Sequence, residues 1–537
     1  MADSPASGVE LPQQSRDYHA IARVPTAVAA FVGRTLKGPV GEALPVRSFA
    51  EFQQHFGGLW QPSTLAYAVE QFFENGGREA RIVRVVNGAR PPTLTLPAGH
   101  GALTLIARNP GSREYLRASV DYDGLTAAEH ERFNLVVQRV RTAGSELVED
   151  QEIYRRMSIA PASGRFVADV LLESRLVRVL GAAPTERPDR SAGGPGGVAV
   201  GYTLSNPDGD DGAPLTDYDI IGSADEGTGL FALGGAMTFN LLCIPPLARD
   251  RDVGLSTLLV AARLCRERHA LLVVDPPAAW TSARAALESL RTWPFRSDSA
   301  VMYYPRIQAF DRLRGRVETF GSCGAAAGMI ARSDETWPVW TAAESEEAIL
   351  RPGLRPAVPV SDADRARLAH AGVNTLLAVR GGPRAGVSPR TLATGGSGAA
   401  DWRYLSARRL ALFIAASVEQ GTRWVLLEHN GPATWERARA QVESFLEALA
   451  AEGAFAGADA EETHFVIADE RVNRPQTLAE GKFNLLFGFA TSKPGEFDTW
   501  LVTHSAGASR VRPVSVNRSA TSRERVEWEI ETSILRR

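Results

Sequence analysis

The sequence predicts an α/β fold in several domains: mostly parallel or mixed sheets covered by helices, with an inserted β-rich domain and extended N- and C-terminal arms. Three observations predict it. Short uninterrupted apolar runs such as Ala27–Val32 and Leu271–Val274 recur between amphipathic helical stretches, the pattern of strands buried on both faces beneath helices. Between residues 91 and 200 the pattern changes to short alternating runs separated by turn residues, which suits half-buried antiparallel strands. The chain ends, 1–23 and 505–537, carry too few apolar residues to bury a core of their own.

Residues 1–23 are polar, with scattered apolar residues at Val9, Leu11, Tyr18 and Ile21. They read as a tail or as an arm that docks on a neighbour. Residues 24–90 read as strand, helix, helix, strand. The strand Ala27–Val32 ends at Gly33, and Gly38-Pro39 turns the chain. Ser48-Phe-Ala-Glu51 is a capping box opening a helix that puts Phe49, Phe52 and Phe56 on one face and closes at Gly57-Gly58. A second helix carries Leu65, Val69, Phe72 and Phe73 and stops at Gly76-Gly77; the strand Arg81–Val86 follows.

Pro91-Pro92 marks the entry to the β-rich insert at 91–200. Its runs are Leu94–Leu96, Leu103–Ile106, Leu116–Val120, Phe133–Val137 and Phe166–Val170, and it ends in the glycine-rich linker Ser191–Gly197. Residues 201–395 return to alternating signals: a helix at Ser256–Arg268, the strand Leu271–Val274, a helix at Ser282–Arg291, the strand Ala300–Tyr304, a helix capped by Ser361, and the strand Thr375–Val379. Residues 396–504 repeat the theme as a C-terminal α/β domain. A helix at Ser406–Gln420, a strand at Trp424–Leu427 and a helix capped by Thr434 precede strands at His464–Ala468, Phe483–Ala490 and Phe497–Thr503. The tail 505–537 has seven arginines and four glutamates, a net charge of +3. Within it Val526-Glu-Trp-Glu-Ile-Glu531 alternates strictly, putting Val526, Trp528 and Ile530 on one face of a strand with no sequence neighbour to pair with.

Composition narrows the function. A hydrophobic fraction of 44% and a charged fraction of 23% are those of globular protein. The net charge of −3 provides no overall field for nucleic acid, and arginines 78, 81 and 84 read as solvated edges or ion pairs. Cys243, Cys265 and Cys323 are too few and too widely spaced for a disulfide framework or a zinc site, so reduced buried thiols are expected. The first residues show neither a basic nor an apolar leader segment, and no apolar stretch approaches the length that spans a bilayer; synthesis and folding in the cytoplasm are expected. There is no phosphate-binding glycine loop, no H-E-x-x-H, no C-x-x-C and no G-x-S-x-G elbow; Gly395–Gly398 is a loop in the wrong frame, and Gly193–Gly201 does not link a strand to a helix. The nine histidines show no paired ligand spacing. The catalytic candidates are Asp275 and Asp469, each at the end of a predicted strand, where α/β enzymes place working carboxylates. Asp before Pro-Pro is also a common strand-exit turn, and that structural reading is the favoured one. No cofactor is expected.

The run Val24–Val40 resembles the opening of contractile tail sheath proteins. Further blocks resemble sheath sequence in the same order: Leu65–Arg78 with Arg81–Val85, Thr228–Leu233, Phe239–Pro246, Leu272–Pro277, Val301–Pro305, Gly324–Arg332, Asn374–Leu377, Trp402–Leu410, Phe413-Ile414, Gly421–Val425 and Pro494–Phe497. The ordered set spans most of 24–503. The resemblance implies a non-enzymatic subunit of a six-start helical sleeve, built from this chain alone or together with paralogous sheath subunits, around an inner tube protein and between a baseplate and a terminal cap. It also implies that the arms are donated to a neighbour's sheet by strand addition; Val9, Leu11, Tyr18, Ile21, Val526, Trp528 and Ile530 are the arm residues expected to make those contacts. A metastable extended sleeve would contract to drive the tube through a membrane, with no direct binding of nucleic acid and no membrane insertion by this chain. Type VI secretion sheaths split these regions over two chains, so a single chain favours a phage tail, a tailocin or an extracellular injection system, assembled in the cytoplasm. The competing readings are an α/β enzyme using Asp275 or Asp469 and a structural filament that does not contract.

Overall fold

The computed structural model describes residues 20–191, 201–234, 238–341, 349–376, 388–393 and 401–514. The chain opens with β1 (Ala29–Gly33), buried at every position, then β2 (Ala43–Val46), α1 (Phe49–Phe56), α2 (Thr64–Glu74) and β3 (Ala80–Arg84). The sequence reading missed β2, whose Pro45 breaks a strand signal; it lies antiparallel to β3 at a sheet edge, where proline is tolerated. The Ser48 hydroxyl accepts from the Glu51 amide as expected, but the Glu51 carboxylate accepts from the Arg47 amide at 2.7 Å, one residue upstream of a standard capping box. Gly57 closes α1 at φ +88°, a conformation that favours glycine.

The chain then leaves this sheet. It forms β4 (Thr93–Ala98), β5 (Gly101–Ala107), β6 (Leu116–Asp121), β7 (Arg132–Val140), β8 (Val148–Ser158), the single turn α3 (Val167–Val170), β9 (Val177–Val179) and β10 (Thr203–Leu204). Two antiparallel sheets result, ordered β4-β5-β9 and β10-β6-β7-β8, sharing a core that includes Leu94, Leu105, Phe133 and Leu135. Phe166–Val170 is helical rather than extended, because Val167 and Leu171, one helical turn apart, are the residues that bury. The β-rich region also runs past residue 200. β10 pairs with β6, the Asn206 amide donates to Thr93 at 2.7 Å, and Arg90 and Asp210 exchange amide–carbonyl bonds at 2.9 Å.

Next come α4 (Asp217–Ile221), β11 (Leu241–Cys243), α5 (Leu255–Glu267), β12 (Leu271–Val274), α6 (Ala283–Leu290), β13 (Ala300–Tyr304), β14 (Ile307–Asp311), β15 (Arg316–Phe320), α7 (Cys323–Thr336), β16 (Arg355–Pro356), α8 (Asp362–His370) and β17 (Asn374–Thr375). The central sheet is seven-stranded, ordered β17-β13-β12-β11-β1-β3-β2, and parallel except for β2. The regions 24–90 and 201–395, divided in the sequence reading, therefore share one sheet, with a core on each face. On one face α7 lies against α2 at backbone contact: a Cβ on Gly324 would stand 2.0 Å from the Ala68 carbonyl oxygen, and one on Gly328 2.5 Å from that of Phe72.

The last unit contains α9 (Leu405–Gly421), α10 (Pro432–Ala451), the turn α11 (Ala460–Thr463), β18 (His464–Ile467), the turn α12 (Pro475–Ala479), β19 (Phe483–Ala490), β20 (Phe497–Ser505) and β21 (Ala508–Val514). Its sheet is antiparallel in the order β18-β19-β20-β21, so it continues ten residues beyond 504, through Val514. The expected strand Trp424–Leu427 is a 3-10 turn; only Val425 is buried there, and Leu427 is 91% exposed. Thr434 lies inside α10, whose N-cap is Gly431 with Pro432 following. Leu405–Leu427 is, against expectation, long and apolar enough by composition to cross a membrane. In this fold it contributes Leu410, Ile414 and Val418 to the core of the C-terminal unit. The linker beyond Ser191, Leu377–Val379 and Gly395–Gly398 lie outside the described residues.

Candidate functional site

The catalytic candidates occupy different sheets and do different work. Asp275 follows β12, and its Oδ1 accepts the amides of Ser322 and, at 2.8 Å, Cys323. It thus caps α7 from another element, supplying the acceptor that the first amides of a helix lack. Burial pushes its carboxyl above the ordinary value, against the pull of these amides and of Arg306. The cavity beside it, lined by Ile244, Val274 and Trp293 among others, measures about 90 Å³, and a second by Tyr67 and Arg249 about 20 Å³. Small-molecule sites run to roughly 300–1,000 Å³. Asp469 makes an Asx turn with the Arg471 amide at 2.9 Å and a two-oxygen ion pair with the Arg471 guanidinium. Burial opposes ionisation there, but Arg471 holds the carboxyl below its ordinary value. The Ser322 hydroxyl lies 3.5 Å from Asp275 Oδ1 and the buried Cys323 thiol hydrogen-bonds the same carboxylate; burial pushes that thiol's pKa up, away from the reactive thiolate.

The three arginines near β3 do not form a patch. Arg78 pairs with Glu335 and Arg81 with Glu79. Arg84, expected at a solvated edge, is buried and donates to the Gly38 carbonyl at 2.6 Å; burial lowers its pKa to about 10. All three cysteines are free and buried.

What the fold does build is a junction on α9, where the start of the described chain, the central unit and the C-terminal unit meet. Ile21 and Val24 lie in the core of the C-terminal unit, and Ile21 touches the Gly421 backbone so closely that a Cβ there would stand 2.8 Å from it. Arg23 pairs with Glu452. The Thr26 hydroxyl donates to Asp334 on α7 at 2.6 Å, and Arg409 on α9 donates to the same carboxylate at 2.7 Å and to the Thr26 carbonyl at 3.3 Å. Burial opposes the Arg409 charge, but Asp334 outweighs it and raises the pKa. Arg408 stacks on Trp402 at 4.0 Å and donates to Ser299 at 2.9 Å, while His269, just after α5, meets Glu419 at 3.2 Å. Side chains of one helix thus hold two sheets in register. The sequence reading had the block Trp402–Leu410 but no signal for these roles, because the partners are distant in sequence.

Of the expected arm residues, Ile21 packs within its own chain. Val9, Leu11, Tyr18, Val526, Trp528 and Ile530 lie outside the described residues. The last described strand, β21, is an edge strand, with β20 on one side and no partner strand among the described residues on the other.

This architecture has counterparts among solved structures. The sheath tail protein Lin1278 from Listeria innocua superposes with a TM-score of 0.57 at 12% identity, over 90% of this chain and 96% of that one. The PVC sheath of an extracellular contractile injection system, in its contracted state, gives 0.50 at 16% identity, over 93% and 97%. The chain has the tail sheath fold. The match runs nearly end to end in both directions, so the sheath fold covers the central unit, the β-rich region and the C-terminal unit together. No protein-family model and no curated protein matches the sequence.

Proposed function

We propose that this chain is the sheath subunit of a contractile injection machine. The observation that carries the reading is the end-to-end sheath fold, shared with an injection-system sheath over 93% of this chain and 97% of that one. Subunits polymerise as a six-start sleeve around an inner tube, between baseplate and cap, in a metastable extended state. Contraction is a move between two packings of folded units, and it needs no nucleotide and no catalysis by this chain. The α9 junction supports this reading: a subunit that slides as a body must hold its units rigidly, and buried Arg408 with the half-buried pair Arg409–Asp334 does so. The arms 1–19 and 515–537 add strands to neighbouring subunits, with Val526, Trp528 and Ile530 facing the partner's core and the glutamates between them facing water. The β-rich region faces outward, and the particle is an extracellular injection system assembled in the cytoplasm. The test is negative-stain electron microscopy of the chain produced alone and with its tube protein. Striated hollow tubes of uniform width are expected, and dispersed particles in both preparations would overturn the reading.

A further inference from the structure

Glu443 and Glu447 stand four residues apart on α10 and so share a face. Like charges at that spacing repel. β18 brings His464 beneath them, and one ligand atom from each of the three lies within 4.8 Å of the others. The imidazole is buried, and its Nε2 has no hydrogen-bond partner; the nearest carboxylate oxygen, Glu443 Oε1, is 3.7 Å away.

Hydrogen bonding on the far side of the ring fixes what Nε2 offers. The Thr463 hydroxyl lies 3.1 Å from the Ala460 carbonyl, which can only accept, so its proton goes there. His464 Nδ1, 3.0 Å from the same hydroxyl, must then be the donor. In the neutral ring this leaves a bare lone pair on Nε2, aimed at two carboxylates. A buried lone pair facing two anions is an unsatisfied arrangement that a cation completes. Arg439 does not fill this place: it pairs with the other Glu443 oxygen, Oε2, at 3.2 Å, leaving Oε1 free toward the histidine.

We propose that Glu443, Glu447 and His464 form a binding site for a borderline divalent cation such as zinc, which fastens α10 to β18. One imidazole and two carboxylates suit such ions better than calcium or magnesium. The Nδ1–H bond to Thr463 supplies the outer contact that orients a ligating histidine. Ligand distances of ~2.0–2.2 Å bring the donors to about 3–3.5 Å apart. Rotation of the exposed Glu447 side chain, with a smaller shift of Glu443, closes that gap.

The experiment is a calorimetric zinc titration of the full-length protein after chelator treatment, with a parallel melting curve. One saturable equivalent and a higher melting temperature are expected. Glu447→Gln, at an exposed position, is expected to keep the metal-free melting temperature and to weaken zinc binding about tenfold or more; Glu443→Gln, which also gives up the Arg439 pair, should weaken zinc binding as much. No saturable binding, or binding of equal affinity in both variants, overturns the site, the second result marking adventitious binding elsewhere.

Discussion

At the scale of single residues, two buried titratable groups shape stability. Asp275→Ala would leave the Ser322 and Cys323 amides without their acceptor, a loss of about 1–3 kcal/mol. Asp275→Asn keeps an accepting oxygen and removes a charge that burial disfavours. Because the folded pKa lies above the unfolded one, the contribution of Asp275 is fully present below the unfolded carboxyl range and is lost as pH rises through the folded value. Asparagine is therefore expected within about 1 kcal/mol of the native chain at pH 7, as read from denaturation midpoints. Equal losses for both substitutions would mean that the carboxylate itself is needed. His504 works in the opposite direction. The Thr422 hydroxyl donates to Val418, so His504 Nε2 donates to Thr422, at 2.8 Å, and Nδ1 accepts from Ser509 at 2.7 Å. Desolvation lowers its pKa to about 4. A folded value below the unfolded one stabilises above the unfolded pKa, and the benefit is lost as pH falls from about 6.5 toward 4, by up to about 3 kcal/mol. His504→Gln should flatten that part of the pH–stability curve; an unchanged slope would show that other groups set it.

At the scale of elements, the tightest contact is α7 on α2. An added Cβ at Gly324 meets the Ala68 carbonyl oxygen at 2.0 Å, and no rotamer change can move a backbone atom. Gly324→Ala must push the helices apart, at an expected cost of about 3 kcal/mol, measured by thermal or chemical unfolding. Gly507→Ala, where a Cβ meets nothing within 4 Å, is the control and should change stability by less than about 0.5 kcal/mol. The same elements mark what the sequence could reveal. β1 and β12 were legible because burial on both faces leaves an uninterrupted apolar run, β19 because only Asn484 breaks its apolar run, and α1 because Ser48 and Gly57 punctuate it. Trp424–Leu427 looked like a strand because apolar content alone cannot distinguish a strand from a turn that buries only Val425. β8 was missed because its residues are mostly polar or charged and few of them are buried. Pairings between remote segments were not legible at all: β1 with β11, Arg409 with Asp334, and His464 with Glu443 are set by topology. The capping role of Asp275 was illegible for the same reason, since the amides it accepts lie in a segment the sequence does not connect to it.

At the scale of the whole molecule, truncation separates the folded body from the terminal segments proposed above as arms. β21 completes the C-terminal sheet: its Val511 packs in the core, and Ser509 satisfies His504. Removing residues 505–537 would strip the edge from β20, leave Nδ1 of a buried histidine without its donor and expose Val502 and Trp500 on the core face. Removing only 515–537 touches none of these. The shorter deletion is therefore expected to melt within a degree or two of the full chain and to stay monomeric, while the longer one loses several kcal/mol and much of its soluble yield. A deletion of 1–19 should behave like the 515–537 deletion, because Ile21, Arg23 and Val24, which anchor the described N-terminal segment, remain in place. Melting curves and electron micrographs of the three truncations separate the two roles. If either short deletion still forms regular sleeves, strand donation by that arm does not link the lattice, and the lateral contacts must come from the folded body instead.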